Sequence, residues 1–307
     1  MNPFITLMRR EWLQHRFGWT IAALLPIAIA LLLVSFGMIV IGDPSTNRFG
    51  AALPAVLAMI AIVGGTALSF LILTLTSWII VAGLARRDHG DRSVEFWLSL
   101  PIGHVPSLAV PLFVHLILVP AAGLLVGLAG GYVLSLVLVG RIVGISEWLT
   151  LPWADIIPAS LALVLRLLAG LPLATLWLAP LILLVVLLTA WFRRWGWVIL
   201  LVGLGVGSEL LNRVFGQPML SDILLALLAQ AATAMVHGLQ DGGGNVRIEG
   251  ASEGFAALRG LPGWALRDLG ASLRELASPL LLGGLVFAAG CFALLVDWRR
   301  RGASAAA

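Results

Sequence analysis

LPAVLAMIAIVGGTALSFLILTLTSWIIVAGL, from Leu53 to Leu84, carries no charged side chain. A helix needs about 20 apolar residues to cross the hydrocarbon core. The run exceeds that length, so it reads as a transmembrane helix that is tilted or extends beyond the bilayer. The chain on either side repeats the pattern. Residues 18–41 form an earlier apolar run, too long for a signal-peptide core and without a small-residue cleavage site after it. Residues 107–140 form a third, interrupted by Pro111, Pro120 and the glycines at 123, 127, 130 and 131. Residues 170–191, 198–211 and 280–296 complete six expected spans. The expected fold is all-α, with residues 1–307 as a single transmembrane domain.

Composition agrees. Hydrophobic residues make up 60% of the chain and charged ones 11%, whereas soluble domains carry about 25% charged residues. A mean hydropathy of +1.04 makes the bilayer the expected solvent and first partner.

The flanks set the remaining organisation. In residues 1–17, Ile5, Met8 and Trp12 share one helical face beside Arg9, Arg10 and Arg16, a pattern expected of a helix lying in the cytoplasmic interface. A basic flank before a span is the plainer reading of the same residues. Residues 146–158 carry Trp148, Trp153 and two acids, as a segment at the outer interface does. Residues 212–279 are expected to be external. Within them, 220–239 is apolar but broken by Asp222, Gln230 and His237. It is expected to be an external or re-entrant helix, because a crossing there would send the C-terminal RRR outward, against the positive-inside rule. With six spans, the flanks at 9–16, 86–92, 193–194 and 299–301 fall on one side, and that side holds eleven Arg against five acids, Glu11, Asp88, Asp91, Glu95 and Asp297. The other side holds eight Arg against ten acids. Both termini are therefore expected in the cytoplasm.

Several chemistries are excluded. The basic residues are all Arg, and the chain has no Lys. A P-loop needs its Lys on the nucleotide phosphates, and Schiff-base chemistry needs a Lys amine. Cys291 is the only cysteine, so no intrachain disulfide forms. No two of His15, His89, His104, His115 and His237 have the i, i+4 spacing of a helical metal site, and no metal is expected. The Arg residues sit at membrane flanks and read as topology signals, not as a nucleic-acid footprint.

The polar loop 85–106 is the informative one. Asp91 or Ser93 is placed to cap a short helix, and Pro101 ends it. Val94, Phe96, Trp97 and Leu98 are then left on about two turns facing the cytoplasm, a cluster that reads as a docking site. The segment RRDHGDRSVEFWLSLPIGHVPSLAVPL, residues 86–112, resembles the first cytoplasmic loop of type-2 ABC exporter permeases. The resemblance rests on Arg92, Ser93, Phe96, Trp97, Ser99, Leu100, Pro101 and Ile102. Gly103, Leu98 and Leu108 depart from the pattern. The rest of the chain agrees with that family only in layout.

The resemblance implies two permease subunits paired in a bacterial inner membrane, as a homo- or heterodimer. Beneath them would sit two ATPase subunits, which hold the ATP and Mg. This chain would then have no catalytic residue and no cofactor of its own. Arg92, Ser93, Val94, Glu95, Phe96, Trp97, Leu98 and Pro101 would form the contact with the ATPase, with Phe96 and Trp97 as anchors. An aromatic patch dipping into headgroups is the bland reading of Phe96 and Trp97.

Ionisable residues within spans are functional candidates by default, so His115, Arg166 and Glu209 are candidate substrate-path residues. Gly123 with Gly127, and Gly203 with Gly207, have the spacing of close helix packing. A secondary transporter or channel, an intramembrane enzyme and a structural scaffold are the rival classes. Neither an internal repeat nor a paired midplane acid supports the first, and no pair of residues has a recognisable catalytic spacing for the second.

Overall fold

The computed structural model describes residues 3–37, 52–90, 103–192, 195–216, 218–239 and 251–304. Among these residues the chain is helices and short turns. The helices are α1 (Pro3–Phe36), α2 (Leu53–Gly90), α3 (His104–Phe113), α4 (Val119–Ile142), α5 (Ile145–Leu149), α6 (Trp153–Phe192), α7 (Gly196–Phe215), α8 (Met219–Met235), α9 (Ala251–Arg274) and α10 (Pro279–Ser304). Among the described residues, five helical stretches are long and apolar enough to cross a membrane: Phe4–Phe36, Leu53–Leu84, His104–Ile142, Trp153–Phe192 and Pro279–Arg300. The protein is all-α and membrane-embedded. The stretch 198–211, expected as a span, lies in α7.

α1 continues without a break from Pro3. The N-terminal stretch is therefore not a separate helix. Leu7 and Glu11 are buried on it, and Leu7 shares a core cluster with Trp19, Leu73, Val110 and Val114. Residues 4–15 are thus part of the bundle. Gly18 between the two halves costs only about 1 kcal/mol of helix propensity. The helices also outrun the membrane: α6, at 40 residues, extends about 60 Å, twice the ~30 Å hydrocarbon core.

α3 and α4 form one rod joined by a π-helical turn, Val114–Leu118, in which the Val119 N–H reaches back to the Val114 carbonyl. Pro120 explains the widened turn. It has no N–H to give the Leu116 carbonyl, and its ring crowds that oxygen.

Apolar side chains gain little by leaving lipid for each other, so close approach and hydrogen bonds hold such helices together. α2 and α4 approach closely along a seam of glycines. A Cβ added at Gly127 would sit 2.7 Å from the Thr66 Cα, and one at Gly131 2.7 Å from the Ile62 Cα. A Cβ at Gly65 would sit 2.9 Å from the Gly131 Cα. Only glycine permits this seam. Hydrogen bonds tie other elements: Thr189 Oγ1 donates to the Ala82 carbonyl (2.6 Å), and Arg141 Nη1 donates to Val34 (2.7 Å) near the end of α1.

The two ends of the bundle are distinct. At one end, Leu84, Leu108, Leu187 and Leu295 share a cluster, and Arg299 Nη1 donates to Ser107 Oγ (2.8 Å). Phe4 packs against Phe113 at a ring distance of 6.2 Å. The start of α1, the end of α2, the start of α3 and the ends of α6 and α10 therefore meet there. At the other end, Ala55, Val139, Leu151 and Ile156 cluster, with Tyr132 bonded to Ser160 (2.6 Å).

α8 belongs to the bundle. Leu227, Ala231 and Ala234 pack with Leu173, Ala174, Trp177 and Leu281. Gly170 lies against Ala234 and Met235, whereas Leu227 and Pro180 both approach Gly284, so α8 runs antiparallel to α6. The expected external or re-entrant helix at 220–239 is thus an apolar strip packed on a spanning helix. α7 shows the reverse: Leu201, Val202, Val206, Leu210 and Val214 on it are all exposed.

Candidate functional site

Among the described residues, two clusters built on buried ionisable side chains stand out inside the bundle. The first joins α1 to the π turn. Glu11 and His15 stand one helical turn apart on α1, the i, i+4 spacing that puts two side chains on one face. His115, on the π turn, comes in from the other rod. Its Nε2 is 3.3 Å from Glu11 Oε2, and His15 Nε2 is 4.0 Å from the same oxygen. Glu11 and His115 are fully buried. The rings of His15 and His115 are 5.4 Å apart, edge to face, and Trp19 packs against His115 at 5.3 Å. His115 Nδ1 and Trp19 Nε1 are buried without a hydrogen-bond partner. Beside this cluster opens an apolar groove of about 740 Å³, lined by Met8, Trp12, Trp19, Leu73 and Val114 among others.

The second cluster joins α6, α8 and α9. Arg166 Nε donates to Asp268 Oδ2 (2.8 Å), Nη1 to the Ala234 carbonyl (3.1 Å) and Nη2 to Ser272 Oγ (2.7 Å). Asp268 also accepts the backbone N–H groups of His237 (3.0 Å) and Gly238 (2.8 Å). Ser272 passes its own proton toward the Thr233 carbonyl or the Asp268 carbonyl (3.2 and 3.1 Å). A buried ion pair is tolerated when further hydrogen bonds satisfy both partners, and here they do. Each nitrogen of the Arg166 side chain is engaged. The arrangement is a clamp that fixes α9 and the turn after α8 onto α6.

The three candidate substrate-path residues do not converge. His115 lies in the first cluster and Arg166 in the second. Glu209 lies on the outer face of α7, where it is 58% exposed and accepts a 2.7 Å bond from Arg213 four residues on. Exposed pairs of this kind contribute about 0–1 kcal/mol. The residues of the expected ATPase contact, from Arg92 to Pro101, lie outside the described residues. The helices that flank them, α2 and α3, end and begin at the end of the bundle that holds the start of α1 and the end of α10.

Reading the sequence missed Glu11, His15, Asp268 and Ser272. The i, i+4 spacing of Glu11 and His15 is visible in it, as is that of Asp268 and Ser272. Spacing among the His residues alone does not bring in Glu11, which stands among the basic residues of the N-terminal flank. No sequence signal pairs Arg166 with Asp268 across 102 residues.

No family model matches the chain, and no curated protein or solved structure is similar to it.

Proposed function

We propose that this chain is the membrane-spanning subunit of an ATP-driven exporter of the ABC class. It would work as one of a pair of such subunits and draw its power stroke from separate ATPase subunits docked on residues 91–102. The observation that carries the reading is the segment RSVEFWLSLPI, residues 92–102, in a chain that has no Lys to grip nucleotide phosphates. A short aromatic helix seated in a groove transmits rigid-body motion because packed contacts resist deformation. Support comes from the placement of the flanks. The loop is bracketed by two helices that meet the start of α1 and the end of α10, the Arg-rich end on which a cytoplasmic engine would dock.

The proposed topology has six crossings with both termini in the cytoplasm of a bacterial inner membrane: α1, α2, α3–α4, α6, α8 and α10. α8 replaces the stretch 198–211 as the fifth crossing, because α8 packs antiparallel on α6 whereas α7 lies exposed. Its 17 residues are at the short end of the range that spans. The C-terminal RRR still faces the cytoplasm.

The test is replacement of Phe96 and Trp97 by Ala in the full chain, co-expressed with a P-loop ATPase encoded beside it. The expected result is a subunit that inserts normally but no longer co-purifies with the ATPase or stimulates its hydrolysis. An intact complex with full transport rejects the reading. So does accessibility labelling that places residues 91–102 on the extracytoplasmic side.

A further inference from the structure

We propose that Glu11, His15 and His115 form a binding site for a borderline divalent cation, Zn²⁺ being the ion whose ligand chemistry they match. The inference is independent of the exporter reading. It starts from the donor set. Two imidazoles and one carboxylate are the combination that zinc takes with an open fourth position. The three ligand atoms lie within 4.8 Å of one another.

The distances suit coordination as well as a long hydrogen bond. A charge-assisted N–H···O contact closes to about 2.7–2.9 Å, whereas His115 Nε2 stands 3.3 Å from Glu11 Oε2. Ligands bonded to one tetrahedral ion at about 2.0–2.1 Å stand about 3.3 Å from each other, so this pair already has the spacing of one tetrahedral edge. His15 Nε2 lies 4.0 Å from the same oxygen and the three ligand atoms spread over 4.8 Å, so His15 has to close in by up to about 1.5 Å. Its side chain is 21% exposed, which gives it room to turn and gives an ion a way in.

The surroundings fit as well. His115 is fully buried, with Nε2 toward the Glu11 carboxylate. The residue sits on the π turn, and such turns re-aim side chains and recur at functional sites. Glu11 and His15 come from successive turns of α1, and His115 comes from the α3–α4 rod. A bound ion would therefore pin the start of α1 to the third crossing.

The experiment uses the full chain purified in detergent after chelator treatment. Zn²⁺ is titrated in competition with a fluorescent indicator, and Co²⁺ is titrated by its visible absorbance. The expected result is one equivalent of Zn²⁺ per chain, a tetrahedral Co²⁺ spectrum, and a melting temperature raised by Zn²⁺. His15→Gln and His115→Gln should each weaken binding more than about tenfold, since even lost outer-sphere partners cost 10–100-fold. His104→Gln, outside the cluster, should bind as the wild type does. His15→Gln, on the partly exposed ring, keeps the test valid if a change at Glu11 or His115 prevents folding. Absence of stoichiometric Zn²⁺ binding overturns the proposal. So does binding that is unchanged in His15→Gln, or an octahedral Co²⁺ spectrum.

Discussion

α4 and α7 carry the same device and use it differently. In α4, Gly123, Gly127 and Gly131 recur every fourth residue, and α2 fills the space that their side chains would take. In α7, Gly203 and Gly207 have the same spacing. Nothing lies within 4 Å of a Cβ added at Gly203, and only the end of the Leu220 side chain, at 3.6 Å, faces one added at Gly207. Glycine every fourth residue makes a flat strip, but a flat strip stabilises nothing until another backbone lies against it. The sequence displays the strips, and the partner comes from elsewhere in the fold.

The comparison can be broken most sharply at Gly127. Gly127→Leu puts a branched side chain where even a Cβ meets the Thr66 Cα at 2.7 Å. It should abolish monodisperse protein on size exclusion in detergent. The buried clamp comes next. Asp268→Asn leaves Arg166 as a buried charge short of its counter-ion, which costs about 3–5 kcal/mol in comparable pairs, and the loss should appear as a large drop in the melting temperature. Gly131→Ala adds a single methyl that meets the Ile62 backbone. Overpacking of this kind costs about 1–3 kcal/mol. Truncating the Ile62 side chain to Ala should not rescue it, because the clash is with Cα and the carbonyl. At the small end, Gly203→Leu should not destabilise the monomer and gains up to about 1 kcal/mol of helix propensity, and Glu209→Ala on α7 should change stability by less than about 0.5 kcal/mol. A loss at Gly203 as large as that at Gly131 would show that the two strips do the same work, and the contrast would fall.

How far the sequence could be read follows the same division. The apolar run 53–84 was legible as a span because crossing a membrane depends on a sum over consecutive side chains. Residues 107–140 were legible too, although the π turn before Pro120 was not. The continuity of the N-terminal stretch with the first span was not legible. The face carrying Ile5, Met8 and Trp12 matches an interfacial helix, but Leu7 and Glu11, on another face, are the buried residues. His115 and Arg166 were picked out as ionisable residues near spans. Their partners were not, because Glu11 lies 104 residues from His115 and Asp268 lies 102 residues from Arg166.

The sequence by itself determined that this chain is helical and lives in a membrane, that it carries no P-loop lysine and that its Arg residues gather at a few flanks. Each of these is a property of residues taken singly or in short consecutive windows. The tertiary structure alone decided which glycine strip is filled, that α8 and not α7 lies along α6, and which buried charges meet. Those outcomes depend on backbones separated by dozens of residues approaching within a few ångströms, and no local pattern encodes which of several equally suitable surfaces a helix will meet.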